Sequence, residues 1–445
     1  MAALTVPSIR HGPDGSYPKP KRSAHIDDLP PEILVSILML HTFGAEEEMH
    51  RSRLRMVRVP FYRGLSQVSR RWRTITLAFP GLWSVVPHFT GSTASTELRL
   101  SRCSVSPIDF VIPLGIPWTK DWCQKAIRLV LPHLSRVRSL DLCLDMYIAN
   151  DTSGELADHP LLRDLLHALA TQPMPLLEDV NIDFCSLAYW KKDYPVFNDP
   201  RVPKGLLTEH PSPRLKKMSM CCCITPMPSP FFASSLRHLE LHDVRGWKNV
   251  DDMIIGLQLT PLLESFTFAD DSSFFEVPSF DVTRSNIHPL RCVRLDNLTY
   301  MQLSNMAAFN AVVFSYLAIP CSARVFIYNH DEFNQERFTE DHLTMLVEAL
   351  QGHFSPAAAS EAQFGRVDVK EDHIRAIPNN SEIGGPSLLA EFRLGIPYRA
   401  GYRDPIGEKL VRCCLSLPVF CRAGAVHFSQ RAHKLQNPAI EEAVF

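Results

Sequence analysis

Glycine is scarce in this chain, with 19 residues among 445, about 4% against an average near 7%. Glycine-rich flexible segments and collagen-like repeats are therefore excluded. Charge of either sign is also not in excess: 46 basic residues face 48 acidic ones, for a formal net charge of -2. That balance offers no electrostatic footprint for non-specific binding to a phosphate backbone, so no nucleic-acid partner is expected. No apolar run reaches the roughly 18 residues that a membrane span needs. The nearest, AAFNAVVFSYLAIP from Ala307 to Pro320, is broken by Asn310 and Ser315 and reads as a buried helix. The first 22 residues carry charge and proline where a secretory signal needs an apolar core. Cytoplasm or nucleus, with no membrane partner, is the expectation.

Chemistry-bearing motifs are missing as well. The chain has no G-x-x-x-x-G-K-[ST] loop, no G-x-G-x-x-G after a strand, no H-E-x-x-H and no G-x-S-x-G. The paired carboxylates Asp251-Asp252 and Asp270-Asp271 sit where turns and helix starts are predicted, which suits caps better than catalysis. No CxxC pair occurs among the 12 cysteines. The Cys221-Cys222-Cys223 and Cys413-Cys414 runs place ligands side by side, and adjacent ligands are not expected to converge on one tetrahedral ion. The sequence therefore predicts a non-enzyme with reduced thiols, no cofactor and no metal.

What the chain does have is proline, 35 residues or about 8%, and apolar periodicity of two kinds. Residues 1–24 lack periodicity and read as a disordered leader. In HIDDLPPEILVSILML, Asp27 and Asp28 stand where an N-cap is wanted and Pro30 and Pro31 suit a first helical turn. Leu29, Ile33 and Ile37 recur at four-residue spacing beside Leu34 and Leu38, giving one apolar helix face. A second helix is predicted in GLSQVSRRWRTITLAFP, with Leu65, Val68, Trp72 and Ile75 as its stripe and Pro80 as its stop. Two such helices cannot bury a sufficient core alone, so their remaining apolar surface goes against the rest of the chain or against a partner.

The series Leu29-Pro30-Pro31-Glu32-Ile33-Leu34, then Leu65, Val68-Ser69 and Trp72-Arg73, then Pro80-Gly81-Leu82-Trp83 resembles the F-box, and most closely that of the large fungal F-box family of basidiomycetes. The resemblance implies a small helical module over 25–88 that docks on a Skp adaptor, which joins a cullin and a RING subunit. It implies that Leu29, Pro30, Ile33, Leu34, Leu65, Val68, Trp72, Leu82 and Trp83 share the adaptor contact and the module's core, with Leu29 and Pro30 as outright contacts and Trp72 as core. An insertion at 41–63 departs from the family pattern. Its Glu46-Glu47-Glu48 run and its arginines 51, 53, 55, 58 and 63 read either as a solvated surface loop or as a docking or localisation signal.

From residue 95 to 330 a phrase of the form L-x-x-L-x-L returns: VRSLDL, LEDVNI, LKKMSM, LRHLEL, LESFTF and LRCVRL. The copy Leu177-x-x-Val180-x-Ile182-x-x-Cys185-x-Leu187 matches the full leucine-rich-repeat strand signature, and Cys223 takes the same position as Cys185 in its own copy. Central positions 140, 180, 218, 239, 266 and 293 lie 40, 38, 21, 27 and 27 residues apart, so the first intervals are stretched relative to a usual repeat of about 20–29. Helical candidates begin at Trp122, Pro160 and Asp251, and several end in proline before the next strand. The predicted fold is α/β: a small helical F-box followed by an irregular leucine-rich-repeat strand-helix solenoid. Residues 331–445 are expected to hold degenerate repeats (ARVFIY, LAEFRL) or a cap, with a helix over Thr339–Leu350 and a loop near 355–363.

On this reading the chain is expected to be a substrate receptor of a Skp-cullin-F-box ubiquitin ligase, or else a ligase-independent binding scaffold. Its unknown target protein would meet the outward residues of the strands, Asp141, Asn181, Ser219, Glu240, Thr267 and Arg294.

Overall fold

The computed structural model describes residues 26, 29–43, 67–89, 92–113, 116, 120–144, 160–184, 212–223, 232, 234–270, 281–329, 338–370, 372–379, 388–396 and 405–429. Side chains are described in α1 only as far as Ile37. The leader 1–24, Asp27, Asp28, Leu65, Cys185, Leu187 and the insertion from residue 44 onward lie outside the described residues. Two compact units are distinguishable, one closing at Leu82 and the other beginning at Trp83.

Among the described residues the first unit holds two helices, α1 (Pro31–Phe43) and α2 (Arg70–Ala78). Pro31 opens α1, where a missing N–H costs nothing. The helix runs to Phe43, three residues into the stretch read as insertion. The second helix starts later than the stripe from Leu65 suggested. Ser69 is its N-cap and accepts the Trp72 amide at 3.2 Å, which leaves Val68 ahead of the helix. The Arg71 guanidinium donates to the Leu29 carbonyl and ties α2 to the start of α1. Phe79 closes α2, and Pro80 opens the 3-10 turn Pro80–Trp83.

The second unit is α/β, built on one large, mostly parallel sheet. Its strands are β1 (Val85–Val86), β2 (Ile108–Ile112), β3 (Val137–Cys143), β4 (Asp179–Asp183), β5 (Lys217–Cys221), β6 (His238–His242) and β7 (Ser265–Ala269). It continues with β9 (Tyr300–Asn305), β11 (Arg324–Asn329), β12 (Phe364–Val369), β13 (His373–Pro378), β14 (Phe392–Gly395) and β15 (Val426–Phe428). A separate parallel pair joins β8 (Val293–Arg294) to β10 (Leu317–Ala318). From β1 to β11 each strand of the large sheet lies parallel to the previous one in chain order.

The register explains why these short segments are strands at all. Leu140, Val180, Met218, Leu239, Phe266, Met301 and Val325 fall opposite one another, and so do Leu142, Ile182, Met220, Leu241, Phe268, Leu303 and Ile327. Each of these side chains is at most 2% exposed. With a side-chain period of two, both rows necessarily share the covered face, and no single strand could bury its own half of it. The row at the strand starts carries charges of both signs. Glu178, Lys216, Arg237 and Glu264 follow one another through backbone hydrogen bonds, Lys216 pairs with Glu178 at 3.0 Å, and Arg237 pairs with Glu264. Exposed pairs of this kind are worth about 0–1 kcal/mol each and serve register more than stability.

Helices cover the apolar face. They are α3 (Thr93–Arg102), α4 (Asp121–Val130), α5 (Pro160–Thr171), α6 (Val250–Gln258), α7 (Ala307–Tyr316), α8 (Glu340–Ala359), α9 (Pro405–Leu415) and α10 (Pro418–Cys421). All ten residues of α7 are buried, Asn310 included. The Asn310 amide is held by the carbonyls of Asn305 and Tyr328 at 3.0 and 2.7 Å. No helix among the described residues is long and apolar enough to cross a membrane.

Three expectations are corrected here. The segment LRCVRL does not enter the large sheet. Thr299 and Tyr300 donate to the Glu264 carbonyl instead, at 2.8 and 3.2 Å, so β9 takes the place beside β7 and Val293 pairs with Leu317. The stretch 355–363 is not wholly a loop, because α8 continues to Ala359 with Pro356 inside it. Burial of Phe354 and Ala357 offsets the hydrogen bond that Pro356 cannot make. The sheet also starts earlier than residue 95, at Val85, and Trp83 falls in the sheet unit, where the Arg102 guanidinium lies 4.1 Å above its ring.

Beyond β11 the regular succession ends. β14 lies parallel to β11, β13 is antiparallel to both β14 and β12, and β15 is the outer neighbour of β12. Phe354 of α8 meets Phe364, Phe392 and Phe420 at centroid distances of 5.8, 5.2 and 5.3 Å, all edge-on. Its neighbour Gly352 leaves room for Arg291, whose Cδ would stand 2.7 Å from an added Cβ.

His353, buried next to these rings and near Arg291, has its pKa driven from 6.5 to about 4, first by desolvation and then by the Arg291 charge. Because the folded pKa lies below the unfolded one, the neutral ring's contribution is intact above pH 6.5 and is lost as pH falls toward 4. A shift of this size corresponds to at most about 3 kcal/mol. Denaturant unfolding at pH 7 and pH 4 should therefore show a loss of stability that is smaller in His353→Leu by up to that amount. An equal loss in both proteins would exclude the assignment.

Candidate functional site

Two surfaces carry the residues singled out in the sequence. On the helical unit the nine F-box-like positions separate by environment. Leu34, Trp72 and Leu82 are buried, at 1%, 7% and 6% exposure, together with Thr76. Pro30 is exposed, Ile33 is 48% and Val68 60% exposed, and Leu29 is half-buried. Ile26, Ile37 and Leu77 add further open apolar surface. The four-residue row Leu29, Ile33, Ile37 is therefore not the packed face of α1, as its spacing suggested. Leu34 is the buried residue of α1, and the isoleucines look outward. Trp83 is buried in the sheet unit, and Leu65 is outside the described residues.

The second surface is the face of the sheet opposite the helices. Asp141, Asn181, Ser219, Glu240 and Thr267 form one continuous row across β3 to β7. The row extends through Val111 on the β2 side and through Gln302, Phe326, Arg393, Arg375 and Asp368 toward β12. Arg294 is not on it: that side chain is exposed on the separate β8–β10 pair. Gln302 occupies the place expected for it. The phrase LTYMQL at 298–303 follows the same L-x-x-L-x-L spacing with Met in one slot, and that signal identifies Gln302.

The row changes character along its length. At the β2–β4 end it is acidic, with Asp109, Asp141, Asp179 and Asp183 on the face. Arg138 holds Asp109 at 2.9 Å, and the Asn181 amide donates to Asp141 at 2.6 Å. Burial first of all pushes the Asp179 carboxyl up, against the pull of Lys217. In the middle, burial and then Lys217 push the His238 pKa down. At the β9–β14 end the surface is aromatic and basic. Tyr300 and Phe326 have ring centroids 5.7 Å apart, Phe326 and Tyr328 stack at 6.3 Å, and the Arg393 guanidinium sits 4.9 Å from the Tyr328 ring. The Tyr300 hydroxyl donates to Gln302 at 2.7 Å. A cleft of about 430 Å³ opens beside this end, with Arg324, Ile377 and Glu391 among its walls. Aromatic rings and a guanidinium are groups enriched where protein partners dock.

At the far ends of β5 and β6, Cys221, Cys222 and Asp243 bring their ligand atoms within 4.8 Å of one another. The expectation that adjacent cysteines cannot point at one place does not hold at this position. Cys223, beside them, is buried and its thiol is pushed up by desolvation, in keeping with a packing role.

Packing and exposure make separable predictions on the helical unit. Trp72→Ala should cost about 3–5 kcal/mol in urea unfolding, whereas Ile33→Asp should stay within about 0.5 kcal/mol of wild type. Comparable losses in the two variants would mean that Ile33 is packed. Comparison of the chain with protein-family models, with curated proteins and with solved structures returns no match.

Proposed function

We propose that the chain is a substrate receptor of a Skp-cullin-F-box ubiquitin ligase, with an F-box helical unit and a leucine-rich-repeat-like solenoid. The observation that carries this reading is the division on the helical unit: Leu34, Trp72 and Leu82 are packed while Pro30, Ile33, Val68 and Leu77 stand open. A small helical unit with a closed core and an open apolar patch suits docking to another polypeptide. The open residues include three of the F-box-like series, which fits a Skp adaptor as the occupant. The solenoid part rests on eight successive parallel neighbours in register, each short strand burying its face only jointly with the next.

In this role the protein performs no bond chemistry. The adaptor-binding unit fixes the chain to the ligase, and the polar, outward sheet row holds a target protein near a ubiquitin-loaded conjugating enzyme. The gain comes from effective concentration and orientation. Cytoplasm or nucleus is the compartment this role requires.

The test is binding of the purified full chain to purified Skp adaptor by calorimetry. Wild type should bind, and Pro30→Ala/Ile33→Asp should weaken binding at least about tenfold, the equivalent of 1.4 kcal/mol, with an unchanged circular dichroism spectrum. Lack of adaptor binding by the wild type would overturn the ligase reading and leave a binding scaffold.

A further inference from the structure

We propose that Cys221, Cys222 and Asp243 form a binding site for a tetrahedral, thiolate-preferring divalent cation of the zinc class. The site lies where β5 and β6 end, and nothing in the receptor role calls for it.

The argument starts from the backbone. Side chains of consecutive strand residues point to opposite faces, so Cys221 and Cys222 in a continued strand would diverge. The strand stops at Cys221, and Cys222 has φ of 53°. That left-handed conformation is uncommon for a residue with a side chain, and it turns the Cys222 thiol back toward its neighbour. One strand over, Asp243 follows the end of β6 with φ of 51°. Two successive strand ends thus make the same unusual turn, and the three side chains meet there.

The meeting distances fit coordination. Cys221 Sγ stands 3.5 Å from Cys222 Sγ, and Cys222 Sγ stands 4.0 Å from Asp243 Oδ2. Two thiolates bound to zinc at about 2.3 Å and tetrahedral angles are about 3.8 Å apart, and a thiolate and a carboxylate oxygen about 3.6 Å apart. The third pair, Cys221 and Asp243, lies within 4.8 Å, so the donors draw together by at most about an ångström to share one ion. Two sulfurs and one oxygen favour zinc-class ions over magnesium or calcium, which take oxygen ligands.

The surroundings leave a way in. Cys222 and Asp243 are buried, but Cys221 is half-exposed on the outward face. It is flanked in register by Asp183 on β4 and His242 on β6. Three protein donors leave the fourth corner to water. A bound ion would clamp the end of β5 to the end of β6, next to the row read as the target surface. Binding requires deprotonated thiols and so releases protons.

The experiment uses the full chain, reduced and freed of metal, titrated with Co²⁺ and then Zn²⁺. The wild type should take up one Co²⁺ per chain with a thiolate-to-cobalt charge-transfer band, which Zn²⁺ removes. Cys222→Ser and Asp243→Asn should each weaken the affinity by more than about a hundredfold, beyond the roughly 10–100-fold that outer-shell changes cost. Cys292→Ser, on β8's approach, should leave it unchanged. If Cys222→Ser fails to fold, Asp243→Asn and the rise in wild-type thermal midpoint with Zn²⁺ but not Mg²⁺ decide the matter. No band in the wild type, or an unchanged Co²⁺ affinity in Asp243→Asn, would overturn the site and leave a thiol hydrogen-bond chain in its place.

Discussion

The in-register parallel pairing from β1 to β11 is the constraint on which everything else in the sheet unit rests. Once Leu140 is set opposite Val180, and Val180 opposite Met218, the period of two leaves no freedom. The two apolar rows that start at Leu140 and Leu142 go to the helix side, and the residues alternating with them, Phe326 included, go to the other face. A slip of one residue at any strand would put a polar row into the core and an apolar row into solvent, so the outward row and the core are one structural fact. The salt bridges at the strand starts follow from that register and add little energy of their own.

A parallel stack of this kind has edges that must be closed, and the two ends are closed differently. At the start, the two-residue strand β1 leaves little edge to pair, and Trp83 lies buried beneath the Arg102 guanidinium. At the other end β14 is inserted between β11 and β13, and a reversed strand interrupts the parallel order. The phenylalanines of α8, β12, β14 and α10 fill the space beneath. That reversal makes residues beyond β11 a terminal structure and no longer a continuation of the stack. It also brings Arg375 and Arg393 into the outward row. The arginines at that end of the face thus come from the termination, whereas Tyr300, Phe326 and Tyr328 belong to the last regular strands.

The strand ends show the same row in a different light. Leu144, Phe184, Cys222, Asp243, Asp270 and Asn305 are successive along the stack through backbone hydrogen bonds, and all are buried. The row starts apolar and becomes polar partway along. Where it changes, at Cys222 and Asp243, the backbone turns left-handed. A change of chemistry at a repeated structural position is where a site can be grafted without disturbing the stack.

Period-two alternation and the recurring L-x-x-L-x-L phrase locate β3 to β7 and their inward residues. They put five of the six named alternates on the opposite face, where Asp141, Asn181, Ser219 and Glu240 are half-buried and Thr267 is buried. Local propensity likewise placed helices near Pro31, Asp121, Pro160 and Val250. Other features were not legible, because they depend on competition between distant segments. Val293 and Met301 carry similar patterns, and only the Glu264 carbonyl decides which enters the sheet. On α1, Ile33 and Leu34 are alike apolar in the sequence, but in the fold Leu34 is buried and Ile33 stands open. Convergence of Cys221, Cys222 and Asp243 needs a positive φ and a neighbouring strand end, and a linear spacing rule contains neither. Sequence alone determined which segments could be strands and which side of each was apolar. Tertiary structure decided which neighbour each one chose, since hydrogen-bond partners in a parallel sheet come from residues far away in the chain.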